Sequence, residues 1–110
     1  MTDQDKKLLS DILRAIELIE SFSTDNKDFD SYLIDLKTQS AVERQLGIIG
    51  EAISRFQKVY PESPLTNANK IIVFRNRLIH AYDTVDPSMI WAIMKNHLGP
   101  LKIEIESRLK

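Results

Sequence analysis

The chain has 110 residues, 43% hydrophobic and 28% charged, with a net charge of −1; that is one domain's worth of core, without the basic excess of a protein that coats nucleic acid nonspecifically. The absence of cysteine excludes a disulfide framework and a thiolate metal site. No apolar run approaches the ~20 residues that span a bilayer, and the polar start Met1-Thr2-Asp3-Gln4-Asp5-Lys6-Lys7 has no signal-peptide pattern, so a cytoplasmic location is expected.

Three glycines and four prolines, and no β-rich runs bounded by turns, predict helices throughout. The first runs from Thr2 or Asp3, either of which can cap it, to about Phe22, with Leu8/Leu9, Ile12/Leu13, Ile16 and Ile19 at helical spacing. Ser23 to Lys27 ends it, and a short helix is expected around Phe29 to Leu36. The longest helix is predicted from about Thr38 to Tyr60. Ser40-Ala41-Val42-Glu43 has the form of a capping box, with Thr38 as the competing start. Val42, Leu46, Ile49, Ile53, Phe56 and Tyr60 form a heptad-like core stripe. Gly47 and Gly50 lie inside this helix at a cost of about 1 kcal/mol each relative to alanine. Their place beside the stripe predicts the close approach of another helix. Pro61-Glu62-Ser63-Pro64 stops the helix. A fourth starts near Thr66 or Asn67. Asp86 as N-cap and Pro87 at the first helical position begin a fifth, which carries Ile90, Trp91, Met94 and Leu98. It is expected to kink or break at Gly99-Pro100 and to continue through Leu101, Ile105 and Leu109. These elements predict a single all-α domain over residues 1–110: an up-and-down bundle of four main helices plus a short one.

The fourth helix leads into Arg75-Asn76-Arg77-Leu78-Ile79-His80-Ala81-Tyr82, where a guanidinium, a carboxamide, an imidazole and a phenol fall within one octapeptide. Arginine binds phosphate with a planar fork of donors and stays charged. Histidine takes and returns protons near neutrality. RNA carries its own nucleophile, the 2′-hydroxyl, so Arg75 and His80 suffice for internal transesterification without a metal. His80 is then general base or acid, Arg75 stabilises the charge developing on phosphorus, and Asn76 holds His80 or the phosphate. Arg77 adds charge to the cleft. The two histidines are far apart in sequence and do not suggest a histidine-rich metal site.

On an ideal helix Ile71, Phe74, Leu78 and Tyr82 share a core-facing stripe, whereas Asn76 and His80 share another face, and His80 lies roughly 140° from Arg75. Arg75 and His80 converge only if the arginine wraps round, if the helix unwinds near His80, or if a second copy completes the site. The last option suggests a symmetric homodimer.

Arg75-Asn76-x-x-x-His80-x-Tyr82 resembles the R-x4-H-x-Y signature of HEPN domains. The segment Ala41 to Ala52 is similar to the matching helix of HepT-like toxins, as are Val85-Asp86-Pro87 and Ile90-Trp91 to later family positions. The resemblance covers almost the whole chain. It implies a toxin of a toxin–antitoxin system, a metal-independent ribonuclease acting as a homodimer without a cofactor. The implied partner is a minimal nucleotidyltransferase, the MntA-type antitoxin, which silences the toxin by transferring AMP to the motif tyrosine, here Tyr82. Arg75 and His80 carry over as catalytic residues.

Plainer readings stand beside these. Arg75, Arg77 and His80 would each suit the negative end of a helix dipole, and Tyr82 could be a core aromatic with its hydroxyl at the rim. Glu43, Arg44 and Glu51 read first as a solvated face or an intrahelical ion pair, and second as groups orienting the cleft. Trp91 reads as core or interface packing and His97 as a surface histidine. The competing functions are a non-catalytic HEPN partner that presents substrate or nucleotide to a nucleotidyltransferase, and a purely structural helical dimer.

Overall fold

The computed structural model describes residues 1–80 and 85–110, and for Ile79 and His80 the backbone alone. Six helices follow in order: α1 (Asp3–Phe22), α2 (Phe29–Leu33), α3 (Leu36–Val59), α4 (Asn69–His80), α5 (Pro87–Asn96) and α6 (Leu98–Leu109). No strand occurs among the described residues, and the all-α class predicted from the periodicity holds.

Thr2 caps α1 in a reciprocal box. Its hydroxyl accepts from the Asp5 amide at 3.1 Å, and the Asp5 carboxylate accepts from the Thr2 amide at 3.1 Å. The α1 stripe of Leu9, Ile12, Ile16 and Ile19 is buried against Val42, Leu46, Ile49, Ile53 and Phe56 of α3. Each such side chain contributes about 1.5–3 kcal/mol by leaving water. Tyr60, just beyond α3, donates its hydroxyl to Asp5 at the start of α1 at 2.6 Å, so the two helices run antiparallel. α6 returns beside α1: Lys102 pairs with Glu20 near the end of α1 at 3.0 Å, while Arg108 reaches the loop after α3 through the carbonyls of Ser63 (2.6 Å) and Pro64 (2.8 Å). Trp91 of α5 stacks at a tilt on Tyr32 and Phe29 of α2, with ring centroids 5.4 and 6.3 Å apart. It is packing, as expected.

Four boundaries differ from the sequence expectation. The short helix ends at Leu33 rather than Leu36, and α3 starts at Leu36 rather than Thr38. Asp35 causes both: its carboxylate accepts from the Thr38 amide at 3.1 Å, the Thr38 hydroxyl at 2.7 Å and the Asn26 side chain at 3.2 Å. Ser40 therefore lies inside α3 and caps nothing. α4 starts at Asn69 because the amides of Thr66 and Asn67 are taken by Glu104 of α6, at 2.9 and 3.2 Å. The last predicted helix is two helices that meet at His97, upstream of Gly99-Pro100. Pro100 has no N–H to donate back toward α5, so the ladder breaks before it and Pro100 falls in the first turn of α6. His97 is half-buried at this junction, donating its amide to Ile93 at 2.9 Å and accepting from Leu101 at 3.2 Å.

α4 packs on α3 at the two glycines. A Cβ on Gly50 would lie 2.8 Å from Cβ of Arg75, and one on Gly47 would lie 3.7 Å from Cδ1 of Leu78. As α3 descends from 50 to 47, α4 ascends from 75 to 78, so this pair is antiparallel too. The predicted close approach is present, and it is tight only at Gly50.

Two stability predictions follow from this packing. Gly50→Ala destabilises by about 1–3 kcal/mol, because Cβ of Arg75 cannot swing aside and the overpacking exceeds the ~1 kcal/mol gained in helix propensity. Gly47→Ala meets only an ordinary contact and is neutral or stabilising by up to ~1 kcal/mol; paired urea titrations check both. The Tyr60 hydrogen bond, and after it those from Thr2, hold the Asp5 carboxyl below its usual 3.8. A depressed carboxyl adds stability that is present above its unfolded value and is lost as pH falls through the folded one. Tyr60→Phe is therefore expected to lower the urea midpoint at pH 7, and by less at pH 3.

Candidate functional site

The octapeptide begins on α4, whose inner face is set by Ile71 and Phe74, both fully buried, and by half-buried Leu78 over Gly47. That inner face is the stripe predicted from helical spacing. Its fourth member, Tyr82, lies outside the described residues, as do Ala81, Asp83 and Thr84.

Arg75 follows Phe74 and sits at the edge of the buried face. Its aliphatic stem lies over Gly50: Cβ, Cγ and Cδ would be 2.8, 3.3 and 3.1 Å from a Cβ placed there. Its guanidinium then reaches the next residue of α3, and Nη2 donates to Oε2 of Glu51 at 2.6 Å. The side chain of Arg75 is 26% exposed and that of Glu51 48%, so the pair lies at the rim, within reach of solvent and of a ligand. The other carboxylate oxygen, Oε1, accepts from Nε of Arg55 at 3.3 Å. The hydrogen bond from Arg75, then its charge, hold the Glu51 carboxyl below its usual range. Glu51 stays ionised at neutral pH.

The remaining candidates are placed differently. Asn76 and Arg77 are exposed on α4. Arg77 lies close enough to the N-cap of α5 for its charge to act on Asp86, whose carboxyl is lowered chiefly by hydrogen bonds from Ser88 and also by Arg77. His80 is the last residue of α4. The backbone is helical from Arg75 through His80, so α4 does not unwind between the two. Nor does Arg75 wrap round α4, because its guanidinium is drawn onto α3 by Glu51. Arg75 is thus joined to α3, and the stretch that follows His80 lies outside the described residues.

Glu51 is the functional candidate that the sequence reading ranked low. The intrahelical pair expected of it is present with Arg55, yet the shorter contact crosses to α4. The available signal was its position immediately after Gly50, the residue that admits α4. Glu43 is half-buried, and burial pushes its carboxyl up. Arg44 is exposed. Asp11, Arg44, Ile48, Glu51 and Arg55 line a groove of about 430 Å³ between α1 and α3, beside Arg75. No group of three or more histidine and acidic side chains that could hold a metal occurs among the described residues. No helix among them is long and apolar enough to cross a membrane.

Comparison with known proteins gives a consistent set of relatives. A protein of Thermococcus cleftensis named "Probable ribonuclease HepT" is 41% identical over 109 residues, which cover 96% of each chain. Two proteins of Methanocaldococcus jannaschii, named "Putative RNase MJ0127" and "Putative RNase MJ1216", are 36% and 31% identical over 96% of this chain and 87% of theirs. No solved structure matches the chain at a comparable level. The family model described as "Ribonuclease HepT-like" matches residues 12–108. With an all-α bundle that presents the R-x4-H segment on the helix packed against Gly50, and with near-full-length relatives that carry ribonuclease names, this chain belongs to the HepT-like ribonuclease family.

Proposed function

We propose that this HepT-like ribonuclease is the toxin of a toxin–antitoxin pair, a metal-independent endoribonuclease that acts in the cytoplasm and is silenced by AMP transfer to Tyr82. The observation that carries the reading is the seating of Arg75 at the rim of the α3–α4 contact, held by Glu51 and partly exposed, five residues before the only histidine of the motif.

In the proposed reaction His80 takes the proton of an RNA 2′-hydroxyl, whose oxygen attacks the adjacent phosphorus. The bond to the 5′-oxygen breaks, that oxygen is protonated, and a 2′,3′-cyclic phosphate remains. Arg75 meets the negative charge that builds on the phosphoryl oxygens. Asn76 and Arg77, exposed on the same helix, support the binding of substrate. The helical backbone between Arg75 and His80 and the turn of Arg75 toward α3 favour the third route to a complete site, a homodimer in which each copy supplies part of the cleft.

The regulatory partner in this reading is a minimal nucleotidyltransferase of the MntA type. The Tyr82 phenol attacks the α-phosphorus of ATP, pyrophosphate leaves, and the AMP adds bulk and a negative phosphate where the RNA phosphate docks.

Cleavage of a single-stranded RNA by the purified chain is expected to persist in excess EDTA. It should fall by roughly 100-fold or more in Arg75→Ala and in His80→Ala, the scale for losing a charge-stabilising donor or a general base. Cleavage unchanged in both variants refutes the assignment. Intact mass after co-expression with the nucleotidyltransferase should rise in steps of one AMP, and Tyr82→Phe should abolish the steps.

A further inference from the structure

Glu51 is bound at both carboxylate oxygens by different helices. Arg55 holds Oε1 from one turn along α3 at 3.3 Å, and Arg75 holds Oε2 from α4 at 2.6 Å. The residue before it, Gly50, receives the stem of Arg75 so closely that no side chain fits between them. Gly50 and Glu51 are thus two halves of one seat. The glycine sets how near the arginine backbone comes, and the carboxylate sets where its guanidinium points. An arginine at a solvent-facing rim otherwise has many rotamers, and fixing it costs side-chain entropy. Here the stem is wedged on Gly50 and the head is tethered, so that cost falls on folding instead of on substrate binding.

We propose that Glu51 is a positioning residue for the cleavage reaction, holding the Arg75 guanidinium in place through a carboxylate braced by Arg55. The proposal rests on the reading of Arg75 as the group that stabilises the transition state. The contact is a charge-assisted hydrogen bond whose carboxylate has a second partner on its own helix. It takes one Nη2 donor of a guanidinium that carries several, so it can orient the fork while a phosphate approaches the rest. Misplacing a group that acts only in the transition state lowers kcat and leaves ground-state binding nearly unchanged.

The test combines kinetics with a readout of Arg75 itself, in Glu51→Ala and Glu51→Gln. The side chain of Glu51 is half exposed, so both variants should keep the fold, which circular dichroism and melting check. On a short single-stranded RNA, Glu51→Ala should lower kcat by about 10–100-fold, the scale of an ångström-sized misplacement, with KM within about threefold. Glu51→Gln keeps an oxygen acceptor and should recover part of the loss. In parallel, the Nε–H resonance of Arg75, assigned by its absence in Arg75→Lys, should stand apart from the other arginines in the unaltered protein and merge with them in Glu51→Ala. Unchanged or increased kcat in Glu51→Ala overturns the proposal, as does a loss confined to KM or an Arg75 resonance indifferent to Glu51. If the unaltered protein cuts no RNA, the ribonuclease reading falls, and the resonance still decides whether Glu51 positions Arg75.

Discussion

The absence of a side chain at Gly50 is the constraint on which the geometry of the site depends. A methyl group there would come within 2.8 Å of Cβ of Arg75, a distance that packed carbons do not tolerate. Because glycine stands at that point, α4 closes onto α3, Phe74 and Ile71 enter the core, and the stem of Arg75 lies along the α3 backbone. Its head arrives at Glu51 as a consequence. A helix-weakening residue, unfavourable by about 1 kcal/mol in isolation, is what makes the helix pair possible.

The contacts just before α4 hold it in that register from its start. Glu104 of α6 takes the amides of Thr66 and Asn67 just before α4. Desolvation raises the Glu104 carboxyl, but the hydrogen bonds from these residues outweigh it, and the group stays below its usual range. At the other side Asp86 caps α5 through Ser88 at 2.9 Å, with Arg77 contributing charge. Between them the buried stripe of α3 fixes the height at which Gly50 meets Arg75. The same helix therefore carries the core on one side, the seat for the arginine on another, and a groove shared with α1 on a third. Changes in α3 packing reach the candidate site through backbone spacing, with no chain of polar contacts needed.

Local signals predicted the helices well where they were strong and unopposed. The cap at Thr2, one of the two residues expected to start α1, the stripes of α1 and α3, the proline stop after Tyr60 and the Asp86-Pro87 start all act over one or two turns, and all occur. Apart from the break at His97, which Pro100 sets locally, the misplaced boundaries are those where another polar group competes. Ser40-x-x-Glu43 is a sound capping box locally, but Asp35 caps α3 three residues before Thr38 and five before Ser40, with Asn26 and Thr38 both bound to it. Thr66 and Asn67 are sound starts for α4, but their amides are claimed by a carboxylate 37 or 38 residues away.

The chemistry of the site was present in the sequence as composition and spacing. Arginine, asparagine, histidine and tyrosine in one octapeptide, together with the resemblance around Glu43 to Ala52, were enough to indicate a HepT-like ribonuclease, and helical spacing alone placed Arg75 and His80 on different faces. Only the tertiary structure decided which way Arg75 turns. Glu51 and Arg75 are 24 residues apart, and an intrahelical partner for Glu51 was available in Arg55. Periodicity along one helix cannot distinguish a carboxylate that serves its own helix from one that also serves a neighbour. That choice is made by the distance between two helix axes, and here a glycine sets that distance.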